Sequence, residues 1–253
     1  MLRKGHSILG AFIDALTWKE ALAAITRWAD KRESRYICIC NVHSVITTTR
    51  NPAFRTIVNS ADLATPDGAP VAWALKKFGF PNQQRINGPD LMWKYLEQAE
   101  ILGHSVFLYG ATDATLERLQ ARIRATFPAL RMAGAYAPPF REQTPEEDEA
   151  EVEMINRSGA QVVFVGLGCP KQEQWMATHR GRVQAVMLGV GAAFDYHAGT
   201  KKRAPLWWQN HGLEWLYRLG TEPHRLLKRY MVTNTLFIVG FSRQLLRDKK
   251  LDK

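Results

Sequence analysis

Three apolar runs in this chain each end in glycine and pass directly into helix-forming sequence, and that repeated unit leaves few folds open. They are Ser105-Val106-Phe107-Leu108-Tyr109-Gly110, Val162-Val163-Phe164-Val165-Gly166 and Ala185-Val186-Met187-Leu188-Gly189. A run that is apolar at every position is buried on both faces, as in a parallel sheet covered by helices. Tyr36 to Cys40, ending at Asn41, and Leu63 to Pro66, ending at Asp67-Gly68, read as two further strand ends. Between the runs lie helical stretches: Asp113 to Phe127, a helix opened by Pro89-Asp90, and one begun at Val42. Residues 7–34 read as a short strand and an amphipathic helix through Trp18, Leu22, Ile25 and Trp28. The spacing predicts an α/β fold with a Rossmann-like, doubly wound, mostly parallel sheet.

After about residue 200 strands give way to helices. Leu227, Tyr230, Met231, Phe237, Ile238, Phe241 and Leu245 recur every three or four positions, with Arg225, Lys228, Arg229, Arg243 and Arg247 on the other face. The chain therefore divides into an α/β core over 1–199 and a helical appendage over 200–253. Net charge is +10, and residues 200–253 carry 12 Lys/Arg against 4 Asp/Glu. Basicity is thus concentrated in the appendage, together with Trp207, Trp208 and Trp215. A basic aromatic helix suits an anionic membrane surface, and no motif for nucleic acid accompanies it. No apolar run approaches the roughly 20 residues of a membrane span, and no secretory leader is apparent. Cys38, Cys40 and Cys169 lack the spacing of a zinc site or a disulfide framework, so a reducing cytosol is expected and no metal.

A buried strand ending in glycine brings backbone amides and a helix start to one point, which suits phosphate. Gly110, Gly168 and Gly191 are the candidate glycines. Neither G-x-G match extends to the full dinucleotide fingerprint, so a nucleotide-dependent oxidoreductase is a minor reading. Asp67 and Asn41 stand at strand ends, where a carboxylate and an amide meet ligands; both residue types also serve as ordinary turn and cap residues.

These residues carry a family resemblance. Asn41, Thr65-Pro66-Asp67-Gly68, Arg85-x-Asn87-Gly88-x-Asp90-Leu91, Gly166-x-Gly168-x-Pro170-Lys171-Gln172-Glu173 and Gly189-Val190-Gly191-Ala192-Ala193-Phe194-Asp195 resemble the WecG/TagA/CpsF glycosyltransferases. Arg203-Ala204-Pro205 and Gly212-Leu213-Glu214-Trp215-Leu216-Tyr217-Arg218 extend the likeness, which spans about residues 8–245 in order. Threonine is frequent in the family two residues before the asparagine, and Ile39 stands there in this chain.

The resemblance implies an inverting, metal-independent transferase without a cofactor. Its substrates would be a UDP-sugar and a polyprenyl-diphosphate-linked saccharide of the cell envelope or exopolysaccharide, at the inner face of the cell membrane. It makes Asp67 the candidate general base, with His197 the alternative. It offers Asn41, Arg85, Asn87, Lys171, Gln172 and Asp195 as substrate-binding residues. Arg218, Arg225 and Arg229, with Lys228 an alternative to the last, would reach diphosphates from the appendage. The rival from another class is a non-catalytic basic module, binding membrane or polymer through a nucleotide-binding-like core. Self-association stays open, as does the donor sugar.

Overall fold

The computed structural model describes residues 3–251, and side chains as far as residue 248. A hairpin of β1 (Gly5–Ile8) and β2 (Ala11–Asp14) leads into α1 (Trp18–Asp30). Then follow β3 (Arg35–Cys40), α2 (Val42–Arg50), α3 (Pro52–Asn59), β4 (Leu63–Pro66), α4 (Ala69–Lys77) and α5 (Gly88–Leu102). The second half of the core is β5 (Ser105–Gly110), α6 (Asp113–Thr126), β6 (Arg131–Tyr136), α7 (Pro145–Arg157), β7 (Val162–Gly166), α8 (Lys171–His179), β8 (Val186–Gly189) and α9 (Ala193–His197). The remaining elements are all helices: α10 (Leu206–Asn210), α11 (Glu214–Thr221) and the 29-residue α12 (Pro223–Leu251).

Six strands form one parallel sheet in the order β4-β3-β8-β7-β5-β6, as the sequence predicts. Side chains alternate across it and are apolar on both sides. Tyr36, Cys38, Cys40, Val163, Val165 and Met187 face one core, and Ile37, Ile39, Val162, Phe164, Val186 and Leu188 face the other. Two elements depart from the expectation. The N-terminal strand is a hairpin, turned at Leu9 and Gly10 with φ of 52° and 91°. The edge strand β6, only partly buried, had no apolar run to announce it.

The helical segment after residue 200 is stitched into the core. Phe237 and Phe241 of α12 are 5% and 3% exposed and join the core facing α2, α3 and α8. Gln244 clasps the hairpin, its Oε1 accepting from Leu9 N at 2.9 Å and its Nε2 donating to Ser7 O at 2.7 Å. Arg203 forks onto Asp90 at 2.5 and 2.9 Å, tying the start of this segment to α5. No described helix is long and apolar enough to cross a membrane.

Candidate active site

A cavity of about 730 Å³ opens at the carboxyl ends of β3, β4, β7 and β8, roofed by α11 and α12. Parallel sheets place ligand sites at such strand ends, where the order of connection reverses. Asn41 caps α2, its Oδ1 accepting from His43 N and Ser44 N at 2.9 and 3.2 Å. Asp67 N donates to Cys40 O at 2.9 Å, so the ends of β3 and β4 hold Asp67 next to Asn41. Burial pushes the Asp67 carboxyl above the ordinary carboxylate range. Arg85 and Arg218 oppose that push, Glu214 adds to it, and the Asn41 amide favours the ionised form.

The charges around Asp67 fall into two sets. Arg85 is engaged by Glu214 of α11 at 2.8 Å, Asp195 by Lys201 at 3.0 Å, and Arg225 by Glu222. Arg218 and Arg229 have no carboxylate partner among the described residues, and the Nε of each is buried without a hydrogen bond. The Arg218 guanidinium lies 5.9 Å from the centre of the Tyr196 ring. His43, which the sequence reading missed, also lines the cavity with a buried, unpartnered Nδ1. Burial, with Arg229 adding to it, lowers the His43 pKa to about 4, so its ring is neutral near pH 7. The available signal was its position two residues beyond a strand-end asparagine.

Other candidates do structural work at the cavity wall. Gln172 is 4% exposed; its Oε1 accepts from Gly168 N at 3.1 Å, and its Nε2 donates to Gly189 O and Glu173 Oε1 at 3.0 Å each. It thereby braces the turns through Gly168 and Gly191, which take φ of 79° and 54°. Glu173 beneath it is raised in pKa by burial, and its Oε2 has no partner. Asn87 caps α5, accepting from Asp90 N at 3.0 Å and donating to Asp90 Oδ2 at 2.7 Å, and its residue lines the cavity.

Four candidates fall outside the cavity. Lys228 is exposed on α12, where its neighbour Arg229 lines the cavity instead. Lys171 is exposed at the start of α8, because adjacent helical residues point about 100° apart and Gln172 takes the inward direction. Gly110 packs against β7, where a Cβ would come within 2.7 Å of Gly166 C. His197 is turned towards α5: its ring stacks on Trp93 at 4.2 Å and its Nε2 lies 2.9 Å from Pro89 O. The structure therefore brings Asn41, Asp67, Arg85, Asn87, Gln172, Asp195, Gly168, Gly191, Arg218, Arg225 and Arg229 to one cavity, and not Lys171, Gly110, His197 or Lys228.

One end of this arrangement can take a proton at Asp67 and hold an anion between unpaired guanidinium groups. Among the described residues no cluster of three His, Cys, Asp or Glu side chains is placed to hold a metal. The profile of the Glycosyl transferase WecG/TagA/CpsF family matches residues 6–251. A curated relative from Bacillus spizizenii (strain ATCC 23059 / NRRL B-14472 / W23) is 35% identical over 202 residues, covering 79% of this chain and 76% of its own. It is named N-acetylglucosaminyldiphosphoundecaprenol N-acetyl-beta-D-mannosaminyltransferase.

Proposed function

Because this chain belongs to the WecG/TagA/CpsF family of glycosyl transferases, we propose that it moves a hexosyl or N-acetylhexosaminyl group from a UDP-sugar to a polyprenyl-diphosphate-linked saccharide, with inversion and without a metal. The observation that carries the reading is the pair Arg218 and Arg229, which line the cavity with no carboxylate partner among the described residues. A half-buried guanidinium with an unpartnered, buried Nε is stabilised when a ligand supplies the counter-charge. Guanidinium groups suit diphosphate oxygens, which accept from them in pairs. The relative's name places its acceptor sugar on a diphosphate-linked lipid, which is that chemistry.

In the reaction, Asp67 accepts the proton of the acceptor hydroxyl. That oxygen attacks the anomeric carbon on the face opposite UDP, and the electron pair of the breaking bond leaves on the diphosphate. A base raised by burial is better matched to this task near neutral pH than an ordinary carboxylate. Arginines at the leaving oxygen stabilise the charge that develops there. Exposed Leu206, Trp207 and Met231, with exposed Arg243 and Arg247 in the same helical segment, offer apolar and basic groups to anionic lipid at the inner membrane face.

The test is acceptor-dependent release of UDP over a panel of UDP-sugars, with and without a chelator. Release with one donor, unchanged by the chelator, is expected. Lipid binding with no release from any donor would favour a non-catalytic module, and loss of release on chelation would overturn metal independence.

A further inference from the structure

The cavity does not end at the cationic site. It continues along α12, whose lining passes from Arg225, Arg229 and Tyr230 through Thr233 and Asn234 to Phe237, Ile238, Phe241 and Leu245, with Ser242 the one polar residue at the far end. These positions recur at three- and four-residue intervals, so they form one stripe. Arg229 to Phe241 covers about 18 Å of helix at 1.5 Å per residue. Trp73 of α4 forms the opposite wall, 5.5 Å from the Phe241 ring and still 48% exposed. Ile238, which lines the same cavity, is 64% exposed. A large aromatic and a β-branched aliphatic side chain are thus left open along a trough continuous with two unpaired arginines.

From this we infer that the trough between Trp73 and α12 is a binding groove for the first isoprene units of a prenyl diphosphate, with the diphosphate seated towards Arg229. The inference rests on the acceptor class in the proposed function and adds where its lipid lies. One stripe that passes from cationic to aromatic matches a single ligand with an anionic head and an apolar tail. A bilayer surface or a second copy of the chain would instead cover Leu227, Met231 and Leu246, which are exposed outside the cavity. Lys77, outside the cavity lining, has its Nζ 5.2 Å from the centre of the Trp73 ring.

Calorimetry on the whole protein tests the groove without turnover, using pyrophosphate and the dimethylallyl, geranyl and farnesyl diphosphates. Affinity should rise by about tenfold for each added isoprene unit, since apolar area leaves water with each. Trp73→Ala and Ile238→Ser should flatten that dependence while leaving pyrophosphate affinity unchanged. Leu246→Ser, on an exposed position outside the cavity, should retain it. Because all three positions are substantially exposed, the variants should melt close to the wild type. The groove is overturned if the Trp73 and Ile238 variants keep the wild-type dependence, or if Leu246→Ser loses it equally. Absence of UDP release would refute the transferase reading, whereas this binding series would still decide the groove.

Discussion

Replacing Gln172 by methionine keeps most of the side-chain volume and removes every hydrogen bond it makes. Gly168 N then loses its acceptor at 3.1 Å, and Gly189 O and Glu173 Oε1 lose their donors at 3.0 Å. The surroundings are dry, with Gln172 4% and Glu173 1% exposed, so water does not readily replace these partners. Each orphaned buried polar group costs roughly 1–3 kcal/mol. Partial relaxation of the two turns brings the total to about 3 kcal/mol, or a fall in Tm of roughly 6–12 °C for a chain of this size. Differential scanning calorimetry measures the loss, and UDP titration measures what the turns do for the ligand. Both stability and UDP affinity should fall together, since Gly168 and Gly191 are held in place by this amide. A Tm within about 2 °C of wild type, with UDP affinity lost, would show that Gln172 is a direct ligand contact and that the bracing argument is wrong.

Three further outcomes follow from the geometry. His197→Phe should keep turnover within about threefold and lower Tm by roughly 2–4 °C, because Pro89 O loses a partner while the stack on Trp93 survives; a loss of activity in folded protein would return His197 to the base's role. As the proposed base, Asp67 would have to be ionised, so activity should fall as pH drops through its raised pKa. Glu214→Gln removes a charge that pushes that pKa up and should move the acid limb of kcat/KM to lower pH. Arg85→Met removes a charge that holds it down and should move the limb to higher pH; shifts of the opposite sign would sink the assignment. Arg218→Met should weaken diphosphate binding more than UDP-independent stability, and unchanged binding by calorimetry would remove it from the anion site.

The sheet was legible because residues alternate across it and both its faces are apolar. Runs such as Val162 to Val165 therefore stand out, and a glycine marks where each ends. The hairpin was not legible, since Leu9 takes a left-handed conformation without the Asn-Gly or Asp-Gly signal that usually announces such a turn. β6 was hidden by its edge position, where Met132, Ala133, Gly134 and Ala135 need not be strongly apolar. Asn41 and Asp67 could be picked out by standing at strand ends. Lys171 and His197 belong to short helices, and the sequence does not show which way a helix is turned about its axis. The same ambiguity affected the last helix. Its basic residues read as one face, and only the family resemblance singled out Arg225 and Arg229, which line the cavity while Arg243 and Arg247 stay exposed. Glu214 was visible within its motif, but its ion pair with Arg85 joins residues 129 apart and needed the fold to be seen.

The central claim is that Asp67 takes the acceptor's proton at a site whose donor binding is otherwise intact. Acceptor-dependent UDP release by Asp67→Asn, measured alongside UDP affinity on the same preparation, tests it most directly. Turnover should fall by about 10²–10⁴ while UDP binds as in the wild type. Near-normal turnover with intact UDP binding would contradict the account.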